Sequence, residues 1–303
     1  MSNIPNMNGK IVVITGANSG IGYQTALEMA RNGATVCLAC RNVNKAEAAM
    51  ASIKLQVPKA DLIFLRLDLS DLSSVKRCAR NAASKLDKID ILINNGGIMA
   101  IPDKQLTKDG FEMQIGTNHF GHFALTGLLL PLLLKSEEPR IVNLSSLAHT
   151  LILKFDMDNL DFKNDDYNSV RAYCNSKLAN MLFSLALQKY IDDKGYNILV
   201  ANCHPGISNT NLIHSGPKLE KSTFAGQVAS WATWLFCQSE PMGALPTLYA
   251  ATNPNVVKNG YYGPLFEFRG SARPTWKSFL ANDEKLAHEL WEYSQRKTGV
   301  EFV

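Results

Sequence analysis

Short β-branched apolar runs alternate with amphipathic stretches over the first two thirds of the chain. Residues 11–15 (IVVIT) read as a strand and lead through a glycine-rich turn into a helix reaching about residue 31. Residues 35–40 (TVCLAC) form the second strand and 45–55 a helix; 62–67 (LIFLRL) form the third strand and 74–86 a helix. Residues 89–93 (IDILI) precede a long helix ending near residue 134. A strand at 140–144 (RIVNL), a helix over about 171–191 and a strand at 198–202 (ILVAN) complete the series. Near-continuous apolar strands alternating with helices imply a parallel sheet covered on both faces. The expectation is an α/β fold: one domain, a doubly wound parallel sheet with helices on both sides. No repeat or Pro/Gly-rich linker divides the chain.

After Pro205 the rhythm breaks. Phe224, Val228, Trp231 and Leu235 fall at i, i+4, i+7 and i+11, one face of a helix. That face packs on the core, forms an aromatic lid over an apolar substrate, or touches a membrane surface. The last helix takes Asn282 or Asp283 as its cap and stops near Gly299, turning Leu286, Leu290 and Trp291 inward. The expected organisation is a core over about residues 9–204, with 205–303 supplying a substrate lid and C-terminal elements.

Composition narrows the function classes. Lys and Arg number 31 against 27 Asp and Glu, a net charge of +4, with no run of five like charges, so nucleic acid is not an expected partner. Residues 1–10 are polar, which predicts no secretory segment and no N-terminal anchor. The apolar run at 123–134 (FALTGLLLPLLL) contains Pro131 and falls short of the ~20 residues a bilayer requires, so it reads as a core helix. Cys37, Cys40, Cys78, Cys174, Cys203 and Cys237 are scattered, which suits a reducing, cytoplasmic setting. Cys37 and Cys40 match C-x-x-C, but on a strand residues three apart face opposite ways, so no redox pair is expected.

Candidate chemistry sits at the strand ends. Thr15-Gly16-Ala17-Asn18-Ser19-Gly20-Ile21-Gly22 joins strand to helix, where a glycine turn lets backbone approach a pyrophosphate and a helix N-terminus faces it. The second strand ends Ala39-Cys40-Arg41-Asn42, with no acid before Glu47. A carboxylate there would hold a ribose 2′-hydroxyl, whereas the Arg41 guanidinium suits a 2′-phosphate, which points to NADP(H). Tyr173 and Lys177 stand at i and i+4 on one helix face, where an ammonium favours the phenolate and lowers the phenol pKa. Ser145 and Ser146, Asn94-Asn95-Gly96-Gly97 and Asn118 fall at or just beyond other strand ends; Asn118 opens or interrupts the long helix. His119 and His122 lack accompanying ligands and read as core or supporting histidines rather than a metal pair. His204 reads as a turn residue. Asp156, Asp158, Asp161, Asp165 and Asp166 read as a solvated loop.

Together these motifs resemble the short-chain dehydrogenase/reductase family. Its T-G-x-x-x-G-x-G turn falls on residues 15–22, and its N-N-A-G on Asn94, Asn95, Gly96 and Gly97, with Gly96 where alanine is usual. Within the family the sequence is similar to retinol dehydrogenases and related lipophilic-carbonyl reductases. The stretches LACRN, FEMQIGTNHFGHFALT, RIVNLSSLAHT and AYCNSKLANMLF carry that likeness, as do Trp231 and Trp234 and a 173 − 146 = 27-residue interval between Ser146 and Tyr173. Many of those enzymes carry an N-terminal membrane anchor, for which the polar residues 1–10 predict no counterpart.

The resemblance implies a Rossmann fold and a catalytic set of Asn118, Ser146, Tyr173 and Lys177. It implies cofactor contacts from Gly16, Asn18, Ser19, Gly20, Ile21, Gly22, Arg41, Asp68, Leu69, Asn95, Gly96, Tyr173, Lys177, Pro205, Gly206, Ile207 and Thr210. Thr210 is expected at the carboxamide and Asp68 at the adenine. NADPH would give hydride to a carbonyl carbon while Tyr173 protonates the oxygen and Ser146 hydrogen-bonds it. Lys177 would hold the nicotinamide ribose, and Asn118 a water relaying protons to Lys177. The expected partner is a small lipophilic carbonyl or alcohol, retinal-like, aldehyde, ketone or steroid. The protein would be a monomer or homodimer with no transmembrane segment, cytoplasmic or peripheral on a membrane. The alternative is a dinucleotide-binding regulatory or scaffold protein with little turnover.

Overall fold

Alternation along the first two strands divides the core between two faces. Val12, Ile14, Val36, Leu38 and Cys40 pack on one side, and Val13, Cys37 and Ala39 on the other. The computed structural model describes residues 4–163, 167–206 and 239–302. Its strands are β1 (Ile11–Thr15), β2 (Thr35–Cys40), β3 (Leu62–Arg66), β4 (Ile91–Asn94), β5 (Arg140–Leu144), β6 (Leu199–Cys203), β7 (Gly260–Pro264) and β8 (Ala272–Pro274). They form one sheet in the order β3-β2-β1-β4-β5-β6-β7-β8. All neighbours are parallel except β7 and β8. The order reverses between β1 and β4, the position where open α/β sheets bind ligands beyond the carboxyl ends of their strands.

Helices α1 (Gly20–Arg31), α2 (Val43–Gln56) and α3 (Leu72–Lys85) follow the first three strands. A short turn α4 (Met113–Ile115) runs through a π-helical turn, Gly116–Phe120, into α5 (Gly121–Leu133). Helices α6 (Ser169–Asp193), α7 (Glu240–Thr252) and α8 (Glu284–Thr298) complete the described set. α1, α2 and α7 pack on one sheet face; α3, α5, α6 and α8 cover the other. Three helices start two residues before the apolar pattern does, because polar caps set the boundary. The side chains of Asn42, Asp71 and Asn168 accept from the backbone N–H of Lys45, Ser74 and Arg171. Asp283 caps α8 in the same way, and Gly299 closes it at φ +62°.

The tail contributes more to the sheet than its sequence suggests. β7 (GYYGP) and β8 (ARP) contain glycine and proline, which depress a strand signal. Burial of Tyr261 and Tyr262 and parallel pairing with β6 outweigh that preference. α7 escapes the sequence pattern because Pro241 lies in its first turn and Pro246 in its interior.

The long helix after β4 belongs to the core, as expected of its apolar sequence. A Cβ on Gly127 would lie 2.9 Å from both Val300 and Phe302, so the C-terminal tail lies directly against α5. Phe123, Trp291 and Phe302 interlock there, with ring centroids 4.4–5.3 Å apart. No helix among the described residues is long and apolar enough to cross a membrane.

Candidate active site

Close approach of backbones sets the shape of the β1–β4 crevice. Gly16 leaves β1 at φ +66° and Gly20 opens α1 at φ +58°, both in the left-handed region. A Cβ on Gly16 would lie 2.9 Å from the Gly96 Cα, and one on Gly22 would collide with the Gly16 carbonyl. Ser19, the N-cap of α1, makes no side-chain cap, so the first N–H groups of the helix remain for another acceptor. The cleft that results holds about 280 Å³. It brings Gly16, Asn18, Ser19, Gly20, Ile21 and Gly22 together with Asn95, Gly96, Tyr173, Lys177 and Pro205. A cradle that side chains would fill, closed by a helix N-terminus, fits the diphosphate of a dinucleotide.

A second cavity of about 360 Å³ contains Arg41 and Asp68 together with Arg66, Arg77 and Lys108. Asp71 is held well below the usual carboxylate range, chiefly by its hydrogen bond from Lys108 at 2.7 Å. Arg41 and Arg66 are exposed, and neither enters an ion pair among the described residues. Arg66 is absent from the sequence-based site because it looks like one polar position in an apolar strand. The β2–β3 register pairs it with Cys40, next to Arg41. Leu69 is half-buried, with its Cδ1 3.1 Å from where a Cβ on Gly96 would lie. Asp68 Oδ1 accepts from the Ser70 N–H and hydroxyl at 3.1 and 2.6 Å.

At the other end, one turn of α6 presents Tyr173 and Lys177 to the cleft. The Lys177 Nζ lies 5.6 Å from the Tyr173 ring centroid and donates to the Leu144 carbonyl at 3.3 Å. Burial pulls the Lys177 ammonium down to about 8. Burial also pushes the Tyr173 phenol up to about 12, opposed by a hydrogen bond with the Ser146 hydroxyl. The Tyr173 phenol is thus raised where its lysine neighbour points to a lowering, because desolvation is the largest influence on it. The adjacent Ser145 is committed elsewhere: its hydroxyl donates to the Lys177 carbonyl at 2.8 Å. Asn118 lies in the π-helical turn, buried. Its Oδ1 accepts from Ile98 N–H, and its Nδ2 donates to the Ile98 carbonyl and the Ser176 hydroxyl, all at 2.9 Å. Asn118 Oδ1 and Lys177 Nζ meet around Gly97, 3.1 and 3.7 Å from the position of a Cβ there.

Comparison with known proteins places this site in context. A family model described as short chain dehydrogenase matches residues 10–155. Human retinol dehydrogenase 13 is 40% identical over 294 residues, covering 97% of this chain and 86% of its own length. The chain belongs to the short-chain dehydrogenase/reductase family. Human retinol dehydrogenase 11 is 37% identical over 297 residues, covering 96% of this chain and 86% of that protein. A crystal structure of an uncharacterized protein from Mycobacterium paratuberculosis superimposes with a TM-score of 0.82 at 39% identity, covering 100% of this chain and 98% of its own. L-sorbose reductase from Gluconobacter frateurii, solved with NADPH and L-sorbose, shares the fold at a TM-score of 0.67 and 20% identity, over 84% of this chain and 95% of that one. As a short-chain dehydrogenase/reductase of the retinol-dehydrogenase-like branch, the protein is an oxidoreductase.

Further residues of this short-chain dehydrogenase/reductase bear on the site. Gly206 follows Pro205 at φ +69°, and its N–H donates to His204 Nδ1 at 3.2 Å. Ile207, Thr210 and the Phe224, Val228, Trp231, Trp234 and Leu235 face lie outside the described residues, as do Asp165 and Asp166. Asp161 is a correction: it is buried rather than solvated, and accepts from Glu112 N–H at 3.1 Å and Lys297 Nζ at 3.4 Å. His119 and His122 turn to different partners, Ser294 and Thr15. His149, absent from the sequence-based site, donates through Nδ1 to the Ser146 carbonyl at 2.7 Å and accepts from Ser278 N–H at 3.2 Å. Exposed apolar side chains flank this contact in sequence, Trp276 and Phe279 around Ser278 and Leu151 and Leu153 after His149.

Proposed function

We propose that the protein is an NADP(H)-dependent oxidoreductase that moves hydride between nicotinamide and a lipophilic carbonyl or alcohol, of the retinal-like, aldehyde, ketone or steroid class. The observation that carries this reading is the placing of Tyr173 and buried Lys177 together on the wall of the glycine cradle, with Ser146 close enough to act on the Tyr173 phenol. Bound nicotinamide supplies or accepts the hydride; the chain handles the proton and the charge.

A phenol held up to about 12 keeps its proton at neutral pH, which suits Tyr173 as donor to a carbonyl oxygen during reduction. The Ser146 hydroxyl, which acts to lower the Tyr173 pKa, would donate to that oxygen as negative charge develops. The phenolate left behind gains from the Lys177 ammonium, which is charged at pH 7 with its pKa near 8. Asn118 clamps Ile98 and thereby holds the β4 loop beside Lys177.

NADP(H) is favoured because Arg41 and Arg66 lie in one cavity with no ion-pair partner among the described residues, and a 2′-phosphate would bridge them. Asp68 and Leu69 would flank the adenosine, and Pro205 and Gly206 the nicotinamide end. A lipophilic substrate is favoured by the retinol dehydrogenases among the relatives and by the exposed apolar side chains of Trp276, Phe279, Leu151 and Leu153 flanking the His149–Ser278 contact.

The test is a panel of retinal, medium-chain aldehydes, steroids and quinones, assayed with NADPH and NADH side by side. Reduction of a lipophilic class with NADPH preferred supports the reading. A preference for NADH overturns the role of Arg41, and failure to reduce any member overturns the substrate class.

A further inference from the structure

The buried network between β1 and the π-helical turn centres on His122. Its Nδ1 lies 2.9 Å from the Asn118 carbonyl and its Nε2 lies 2.9 Å from the Thr15 hydroxyl. A carbonyl only accepts, so Nδ1 carries the proton and Nε2 accepts from Thr15 in the neutral ring, the hydroxyl's other acceptor, the Ile93 carbonyl, lying farther off at 3.4 Å. Thr15 Oγ1 then uses its two lone pairs on Asn95 N–H at 2.9 Å and Gly96 N–H at 2.8 Å. A protonated His122 would present Thr15 with three donors for two lone pairs, so the network closes only around a neutral ring. His122 is buried, and burial holds its pKa down to about 4.

We propose that His122 is a positioning residue that fixes the cofactor-facing Asn95–Gly96 loop and the Asn118 backbone to each other through one neutral imidazole. One nitrogen serves each side. Through Thr15 the ring sets the loop that lines the dinucleotide cleft. Through the Asn118 carbonyl it sets the turn whose side chain meets Lys177 around Gly97. The assignment rests on the dinucleotide reading above only for its functional consequence; the hydrogen-bond geometry stands without it.

Two substitutions separate the roles, because an asparagine amide reaches the Nδ1 position and a glutamine amide the Nε2 position. His122→Asn keeps the donor to Asn118 and abandons Thr15. It is expected to weaken NADPH binding about tenfold while kcat at saturation changes little, the scale of one buried hydrogen bond left unmade. His122→Gln keeps an acceptor for Thr15 and abandons the Asn118 carbonyl. It is expected to lower kcat about tenfold with NADPH affinity nearly unchanged, and to shift the alkaline limb of the kcat–pH profile. Both variants retaining wild-type Kd, kcat and pH profile would overturn the proposal, as would both losing the same quantity equally.

A measurement on the wild-type chain covers the case in which neither variant folds. In the ¹⁵N-histidine-labelled full-length protein, His122 is expected to show a protonated Nδ1 and an unprotonated Nε2, without titration between about pH 5.5 and 9. A proton on Nε2, or titration in that range, contradicts the proposal. Should the wild-type chain bind neither NADPH nor NADH, the dinucleotide reading fails while the tautomer result still decides the role of His122.

Discussion

The two ends of the cleft use opposite physics. At the Arg41–Arg66 end the charged groups are exposed and line one cavity, because the parallel register sets Arg66 opposite Cys40, next to Arg41. At the Tyr173–Lys177 end burial acts on both groups, moving the ammonium down to about 8 and the phenol up to about 12. The first end is suited to recognise a fixed charge; the second is suited to move a proton. Desolvation parts two groups that start near the same value, keeping the phenol protonated and bringing the ammonium closer to neutral pH, and it would be a handicap at the recognition end, where a charge must be kept.

The largest expected effect falls at the buried end. Tyr173→Phe should lower kcat by about 10²–10⁴-fold, the usual scale for a positioned general acid, while NADPH affinity measured by fluorescence titration stays within a few-fold. Next comes the pH dependence of the wild-type enzyme. Lys177 has its pKa lowered, so its ammonium is present below about pH 8 and lost above it. The kcat for reduction should therefore be level toward neutrality and fall as pH rises through about 8. A limb near the ordinary lysine value of about 10.4 would contradict the burial argument.

At the recognition end the effects are smaller and confined to binding. Arg41→Ala should weaken NADPH about 10–100-fold, the scale of lost charge-assisted hydrogen bonds, and leave NADH affinity unchanged in the same titration. Arg66→Gln should move the same ratio in the same direction by less. The smallest effect belongs to Gly96→Ala. Its methyl would meet Leu69 Cδ1 at 3.1 Å and Thr15 Oγ1 at 3.3 Å, and the leucine tip can yield. Affinity for either cofactor should then change by no more than about twofold, on the scale of a mild overpacking.

Much of the cleft is legible in the amino-acid sequence because the chemistry there is local. The turn at residues 15–22 needs its glycines for backbone reasons, and Tyr173 and Lys177 share a face through helix periodicity alone. What escapes depends on partners distant in sequence. Arg66 looks like a single polar position in LIFLRL until the register sets it beside Cys40 and Arg41. His122 reads as a core histidine until Thr15, 107 residues away, appears on its far nitrogen. β7 and β8 escape for a different reason: their glycines and prolines argue against strands, and only the waiting edge of β6 and the burial of two tyrosines decide otherwise. The direction of the Tyr173 shift escapes because a sequence shows the neighbouring ammonium and does not show the burial.

The most direct test of the division between recognition and chemistry is a double-mutant cycle of Tyr173→Phe and Arg41→Ala, reading NADPH Kd and saturated kcat in all four proteins. Separate ends predict that Arg41→Ala changes Kd alone, Tyr173→Phe changes kcat alone, and the two effects combine without coupling beyond about 0.5 kcal/mol. A saturated kcat that falls tenfold in Arg41→Ala, or a Kd that rises tenfold in Tyr173→Phe, would contradict it.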